Sequence, residues 1–342
     1  MRFLAFLNIF LLHVGDWLWF RYPSWNGAVS AVSFFVILSG VMTGYNGYHK
    51  SVELSIRAVC KDMWKKVRKI YPLYFVTVFF TTFYFGLPEL LVNYDFSGAK
   101  NAIQELLRHF LLLQSWFPEG YFSYNGVGWY LSTVMFLYLL NIPTVCFLKK
   151  IQTKRNASRY YIGIILGCSV LTAVYSLGTY AGDAHFLQYI FPPARIGQYI
   201  AGMVLGFSLC HFKEKRAQAR SFAYATISEL FVLGIWILSL MLPEETWHNR
   251  LLDWMLPNLL LIGVFLLGRG GISTVFRWKP LVRLGDISFE CYLVHQIVIY
   301  VFSTLSGVQP YSRLGYLLCT GMCFTMTLLL AFLLNRSNQR IS

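Results

Sequence analysis

Arg2 and His13 are the residues whose types and spacing point first to chemistry. On a helix, eleven steps of 100° return to within about 20° of the starting direction, and eleven rises of 1.5 Å separate the two by about 16 Å. Arg2 then lies at one rim of a membrane and His13 well inside it. An ionisable side chain within a span is costly and faces a cavity or a partner. The pair suits a long ligand with two ends. A guanidinium, whose planar fork matches phosphate, holds one end at the rim. An imidazole that titrates near neutrality takes the proton of a hydroxyl at the other. A plainer reading also fits: a basic flank, followed by an intramembrane histidine satisfied by another helix. Asp16 follows His13 by three residues and shares its helix face. It either holds the second imidazole nitrogen, raising its basicity, or sits solvated at the outer interface.

The elements that must position these residues are membrane helices. The chain of 342 residues is 56% hydrophobic and only 13% charged, whereas a soluble domain is about 25% charged. A hydrocarbon layer of about 30 Å takes about 20 helical residues. Apolar runs of that order recur at 3–20, 28–48, 71–92, 127–148, 160–180, 196–212, 221–242, 254–268, 287–306 and 314–334. The fold class is therefore all-α, a polytopic transmembrane helix bundle of about ten spans. Residues 1–342 read as a single membrane-embedded domain, with no stretch long enough for a separate soluble one. The first run reads as a retained helix, because only Arg2 precedes it and His13 and Asp16 interrupt it. Segment 105–117 is apolar but short, and reads as interfacial or re-entrant.

The net charge of +14 suggests nucleic acid at first sight. The basic residues instead sit in short clusters between apolar runs, mostly in alternate loops, which is the positive-inside pattern. Both termini are then cytoplasmic, and no nucleic-acid partner is expected. The run Lys65, Lys66, Arg68 and Lys69 precedes the third span; it either anchors the helix or draws in a phosphorylated ligand. The seven cysteines form no Cys-x-x-Cys pair and no cluster with histidine, so neither a disulfide framework nor a metal site is indicated. The long loop 93–126 mixes Trp116, Tyr121, Tyr124 and Asn125 with glycines, which suits a sugar or an interfacial anchor. Glu229 and Glu290 are acids within spans and are expected to pair with a buried Arg or His.

Several motifs in order resemble one family. Arg2-x10-His13 on the first helix, Ser33-Phe34-Phe35-Val36-Ile37-Leu38-Ser39-Gly40 on the second and the basic run ending Ile70-Tyr71-Pro72 before the third are similar to the acyltransferase-3 family. So are Trp129-Tyr130-Leu131-Ser132, Pro193-x-Arg195 with Gly202-x3-Gly206, and Leu284-Gly285-Asp286-Ile287-Ser288 leading to Tyr292-Leu293-Val294-His295. The resemblance covers most of the chain and implies a ten-helix O-acyltransferase of a bacterial inner membrane. The donor would be acyl-CoA, acetyl-CoA in kind, and the acceptor a hydroxyl of a saccharide or lipid-linked glycan. His13 matches the family's catalytic histidine and Arg2 its paired arginine. Arg2, Lys66, Arg68 and Lys69 would hold the donor's phosphates. Trp129, Arg195 and His295 would contact substrate, His295 being equally suited to a packing role. The sequence departs from the family at Thr133, Val134 and Met135, where many members carry a glutamate, and at Lys66 and Lys69, where arginines are frequent. The rival reading is a transporter or flippase; broken helices in two matching halves would mark one, and no such internal symmetry is apparent.

Overall fold

The computed structural model describes residues 1–17, 26–86, 96–179, 183, 185–215, 221–241, 250–306 and 312–341. It is helical, with no strand among the described residues. The ends of four expected spans, at 18–20, 87–92, 180 and 242, lie outside those residues. The helices are α1 (Arg2–Trp17), α2 (Asn26–Tyr48), α3 (Ile56–Thr81), α4 (Phe96–Phe110), α5 (Gly128–Tyr138), α6 (Asn141–Gln152), α7 (Ala157–Gly178) and α8 (Ile196–Lys215). They continue with α9 (Phe222–Leu240), α10 (Arg250–Leu267), α11 (Gly271–Phe276), α12 (Lys279–Asp286), α13 (Ser288–Ser306) and α14 (Arg313–Ile341).

Among the described residues, α2, α7, α9, α13 and α14 are long and apolar enough to cross a membrane, and α5 with α6 makes a sixth span if the two are taken together. The expected span 127–148 is broken there by a bend of 46°. Pro143 accounts for the break: it lacks the N–H that would bond one turn back, and its ring crowds that carbonyl. The third span was expected to begin at residue 71. Helix α3 instead runs through Pro72 from Ile56, so the basic run is the first half of the same helix rather than an entry to it.

The chain falls into two compact units, each assembled from separated stretches. One unit comprises Asn26–Trp64 and Thr133–Val282. Its centre is the crossing of α2 and α8, where Gly40 and Gly44 face Gly202 and Gly206. A Cβ at Gly40 would collide with Tyr199 O, at Gly44 with Met203 O, at Gly202 with Ile37 O and at Gly206 with Val41 O. Small residues at such spacing let two membrane helices approach backbone to backbone. Polar ties complete the unit. Tyr199 donates to Asn141 Oδ1 at 2.6 Å, and Asn141 Nδ2 to Asp62 at 2.7 Å. Asn258 donates to Ser30 O at 3.1 Å and accepts from Trp236 Nε1 at 3.1 Å. Glu229, expected to meet an Arg or His, instead caps α11, accepting from the amides of Gly270, Ile272 and Ser273 at 2.9, 3.0 and 3.1 Å. A carboxylate there satisfies amides that the helix itself leaves unpaired.

The other unit comprises Met1–Trp25, Lys65–Ser132 and Arg283–Ser342. Phe3, Phe6, Phe10 and His13 recur at helical spacing along α1, and this stripe packs against α13 and α14. Phe324 meets Phe3 and Phe10 with ring centroids 6.1 and 5.4 Å apart. Glu290 on α13 accepts from Asn335 Nδ2 of α14 at 2.9 Å. This acid too is met by an amide rather than by the Arg or His expected for it.

Candidate active site

His13 stands on α1 with its Nδ1 2.8 Å from His295 Nε2. The proton positions in this pair follow from the next contact outward. His295 Nδ1 lies 2.7 Å from Tyr292 O and 3.3 Å from Cys291 O. A carbonyl only accepts, so Nδ1 of His295 carries the proton, and in the neutral ring Nε2 is then a lone pair. That lone pair receives the Nδ1 proton of His13. By the same rule, His13 keeps its own lone pair on Nε2. Three local facts fix this arrangement: a histidine at i+3 and i+4 from two helix carbonyls, a second histidine on a facing helix, and no rotation available to a ring in a full core.

The surroundings seal one member of the pair and leave the other open. His295 is 0% exposed, whereas His13 is only half-buried. Phe6 and Phe10, both fully buried, lie with ring centroids 5.5 and 6.3 Å from His295. Helix α13 is further held just before His295 by the segment that leads into α5. Asn125 Nδ2 donates to Leu293 O at 3.1 Å, and the Tyr292 hydroxyl donates to Val127 O at 3.0 Å.

Of the residues singled out in the sequence, Arg2, His13, Asp16, Lys66, Arg68, Lys69, Trp129 and His295 belong to this one unit. Arg2 is exposed at the first turn of α1, and the helix runs unbroken from it to His13. Asp16 is exposed near the end of α1. The Nδ1 of His13, offered to Asp16 from its spacing, meets His295 instead. Lys66 is half-buried on α3, with Arg68 and Lys69 exposed beside it. Trp129 is buried, and its backbone carbonyl accepts from Ser115 Oγ at 2.6 Å. Arg195 belongs to the other unit. It is 1% exposed and donates to Tyr189 O at 2.8 and 3.2 Å, to Gln198 Oε1 at 3.2 Å and to Ser33 Oγ at 3.3 Å.

Comparison with known proteins decides the family. The family described as an acyltransferase domain, acyltransferase-3, matches residues 1–336. The chain belongs to the acyltransferase-3 family. It is also similar to acyltransferase MdmB of Streptomyces mycarofaciens, with 24% identity over 333 residues, covering 92% of this chain and 81% of that protein. No solved structure matches. As a member of acyltransferase-3, the protein is an acyltransferase of the membrane, and its reaction needs an acyl donor and an acceptor.

Proposed function

We propose that the protein moves an acyl group, acetyl in the simplest case, from acyl-CoA to a hydroxyl of a saccharide or lipid-linked glycan. The carrying observation is the 2.8 Å contact of His13 Nδ1 with a sealed, backbone-held His295. It leaves His13 with one lone pair, on Nε2, and a fixed partner for the charge that ring acquires. The acceptor hydroxyl loses its proton to His13 Nε2 as its oxygen attacks the thioester carbonyl carbon. The C–S bond then breaks, and the departing CoA thiolate takes that proton back from the imidazolium. His295 positions the base; it does not touch the reacting atoms. Arg2, Lys66, Arg68 and Lys69 would draw the CoA phosphates to the cytoplasmic rim of the same unit. This reading carries the ten-span topology with it, in which α1, α3, α8 and α10 also cross, both termini are cytoplasmic and the membrane is a bacterial inner one.

Purified protein given labelled acetyl-CoA tests the activity directly, paired with mass spectrometry of surface glycans from cells with and without the gene. Transport of glycan without acyl-CoA turnover would sink the proposal. Charge removal at Lys66 and Lys69 should raise the KM for acyl-CoA, more so at high salt because exposed contacts are screened. Unchanged kinetics in normally inserted protein would leave those lysines as membrane anchors alone.

His295 offers a separate test. His295→Leu should lower kcat by about tenfold to a hundredfold, because a buried donor left without its acceptor costs about 1–3 kcal/mol. The KM for acyl-CoA should hold. His295→Gln should recover part of the loss, since its amide oxygen accepts from His13 Nδ1. Equal activity of the two variants would show that His295 only fills space.

A further inference from the structure

The segment from His109 to Asn125 carries two features that the fold itself does not use. The first is a set of spare acceptors. His109 Nε2 lies 3.0 Å from Gly120 O, so that nitrogen holds the proton and Nδ1 is a bare lone pair. Burial pushes the His109 imidazole below its usual range, against smaller upward pulls from the Gly120 carbonyl and Glu105, which favours this neutral form. Gln114 Nε2 donates at 3.1 Å to the Tyr74 hydroxyl, whose own proton goes to His109 O at 3.0 Å. Asn125 Nδ2 donates to Leu293 O at 3.1 Å and Thr77 Oγ1 at 3.0 Å. Each amide's orientation is thus fixed by where its N–H groups go, and the oxygens are left over. Among the described residues, His109 Nδ1, Gln114 Oε1 and Asn125 Oδ1 have no hydrogen-bond partner, on side chains only 0–1% exposed. Buried acceptors without partners are rare and call for an explanation.

The second feature is backbone strain. Leu112 and Tyr124, with φ of 54° and 57°, are the non-glycine residues in left-handed backbone among those described, and both lie within this segment. Leu112 closes the C-terminus of α4, with Leu113 N donating to Arg108 O at 2.8 Å and Leu112 N to His109 O at 3.0 Å, the bonds of a left-handed helix cap. Tyr124 ends no helix. A residue held this way persists where the surroundings over-determine it, and such residues concentrate at ligand clamps and switch regions.

We propose that this segment is the acceptor subsite, where His109, Gln114 and Asn125 receive the hydroxyl protons of a neutral, polyhydroxylated acceptor. The inference rests on the hydroxyl-directed acyl transfer proposed above. Three uncharged lone pairs fit O–H donors and offer nothing to an anion. The acceptors are shut from solvent in this conformation, so the ligand enters as the segment shifts, and Tyr124 is the link where the backbone gives. Occupancy would reach the base by a short path. Asn125 also bonds Leu293 O, while Tyr292, whose carbonyl holds His295, bonds Val127.

The test uses full-length protein in nanodiscs, acetyl-CoA as donor, and glycan extracted from cells lacking the gene as acceptor. The variants are His109→Phe, Gln114→Met and Asn125→Leu. In each, kcat/KM for glycan should fall about tenfold, the worth of a buried hydrogen bond. Each variant also gives up a donated bond, His109 to Gly120 O, Gln114 to Tyr74 and Asn125 to Leu293 O and Thr77, so the thermal midpoints should fall. In folded, inserted protein the KM for acetyl-CoA should stay at the wild-type value, and any one variant that folds decides. A donor KM that worsens in step with glycan transfer would mean that the acceptors serve bound water and the fold, and would overturn the subsite. Full glycan transfer in all variants would overturn the subsite alone. A wild-type protein unable to acylate the glycan would overturn the transfer reading and the subsite together.

Discussion

His13→Ala should lower acyl transfer by about 10²–10⁴-fold, the usual cost of losing a general base, in protein that still folds and inserts. The reason lies in the wiring of the pair. His295 Nδ1 is committed to the Tyr292 carbonyl, His295 Nε2 to His13, and only His13 Nε2 is left to accept a proton. His13→Gln should fail to the same degree, since an amide keeps the hydrogen bond to His295 but has no basic lone pair. Arg2→Ala, eleven residues away at the exposed start of α1, should act differently, raising the KM for acyl-CoA with a smaller effect on kcat. Because Arg2 is also a topological signal, its orientation in the membrane must be verified beside the kinetics. Robust transfer by correctly inserted His13→Ala protein would falsify the mechanism.

Gly44→Leu and Gly206→Leu should each abolish the folded protein. At both positions the new Cβ meets a backbone carbonyl of the facing helix, Met203 O or Val41 O, rather than the movable end of a side chain. Overpacking that side chains can absorb costs about 1–3 kcal/mol. Here the helices themselves must separate, and the loss should reach about 4–5 kcal/mol, a large part of a total stability of about 5–15 kcal/mol. Gly163, Gly167 and Gly178 on α7 supply the control, since nothing lies within 4 Å of a Cβ at any of them. Alanine there should leave the thermal midpoint unchanged or raise it slightly, helix propensity favouring alanine over glycine. Monodisperse yield and thermal midpoint in nanodiscs read both sets. Well-folded Gly44→Leu protein would show that the α2–α8 crossing is looser than its backbone contacts imply.

Those glycines also mark where sequence reasoning stops. Gly163-x3-Gly167 has the same spacing as Gly40-x3-Gly44 and Gly202-x3-Gly206. Only contact across space separates the two that pack from the one that does not. The helices themselves were legible, because an apolar run of bilayer length announces itself without tertiary information, and among the described residues each expected span has a helix over at least part of it. Boundaries were less so: the helix through Pro72 and the break before Pro143 depend on which carbonyl can be forgone. The site was legible in part. Arg2 and His13 share one helix, so their spacing carries the geometry. The partner of His13 lies 282 residues further along the chain, and only the family resemblance drew notice to His295. Asp16, nearer in sequence, was the natural local candidate for the same nitrogen. His109 and Gln114 had no distinguishing pattern at all, since an unpaired lone pair is visible only once every donor nearby has been placed.

The backbone anchor of His295 also has a bioenergetic consequence. Its Nδ1 proton is pinned between two helix carbonyls, Tyr292 O and Cys291 O, so among the described residues no path leads onward through His295. In the mechanism proposed above, the proton lifted from one substrate returns to the other through His13 Nε2, and the enzyme finishes each turnover in the state in which it began. A catalyst wired this way neither draws on nor dissipates the proton-motive force. Its turnover should be indifferent to uncouplers and to membrane potential, even with His13 and His295 placed by the proposed topology inside the very barrier that sustains them.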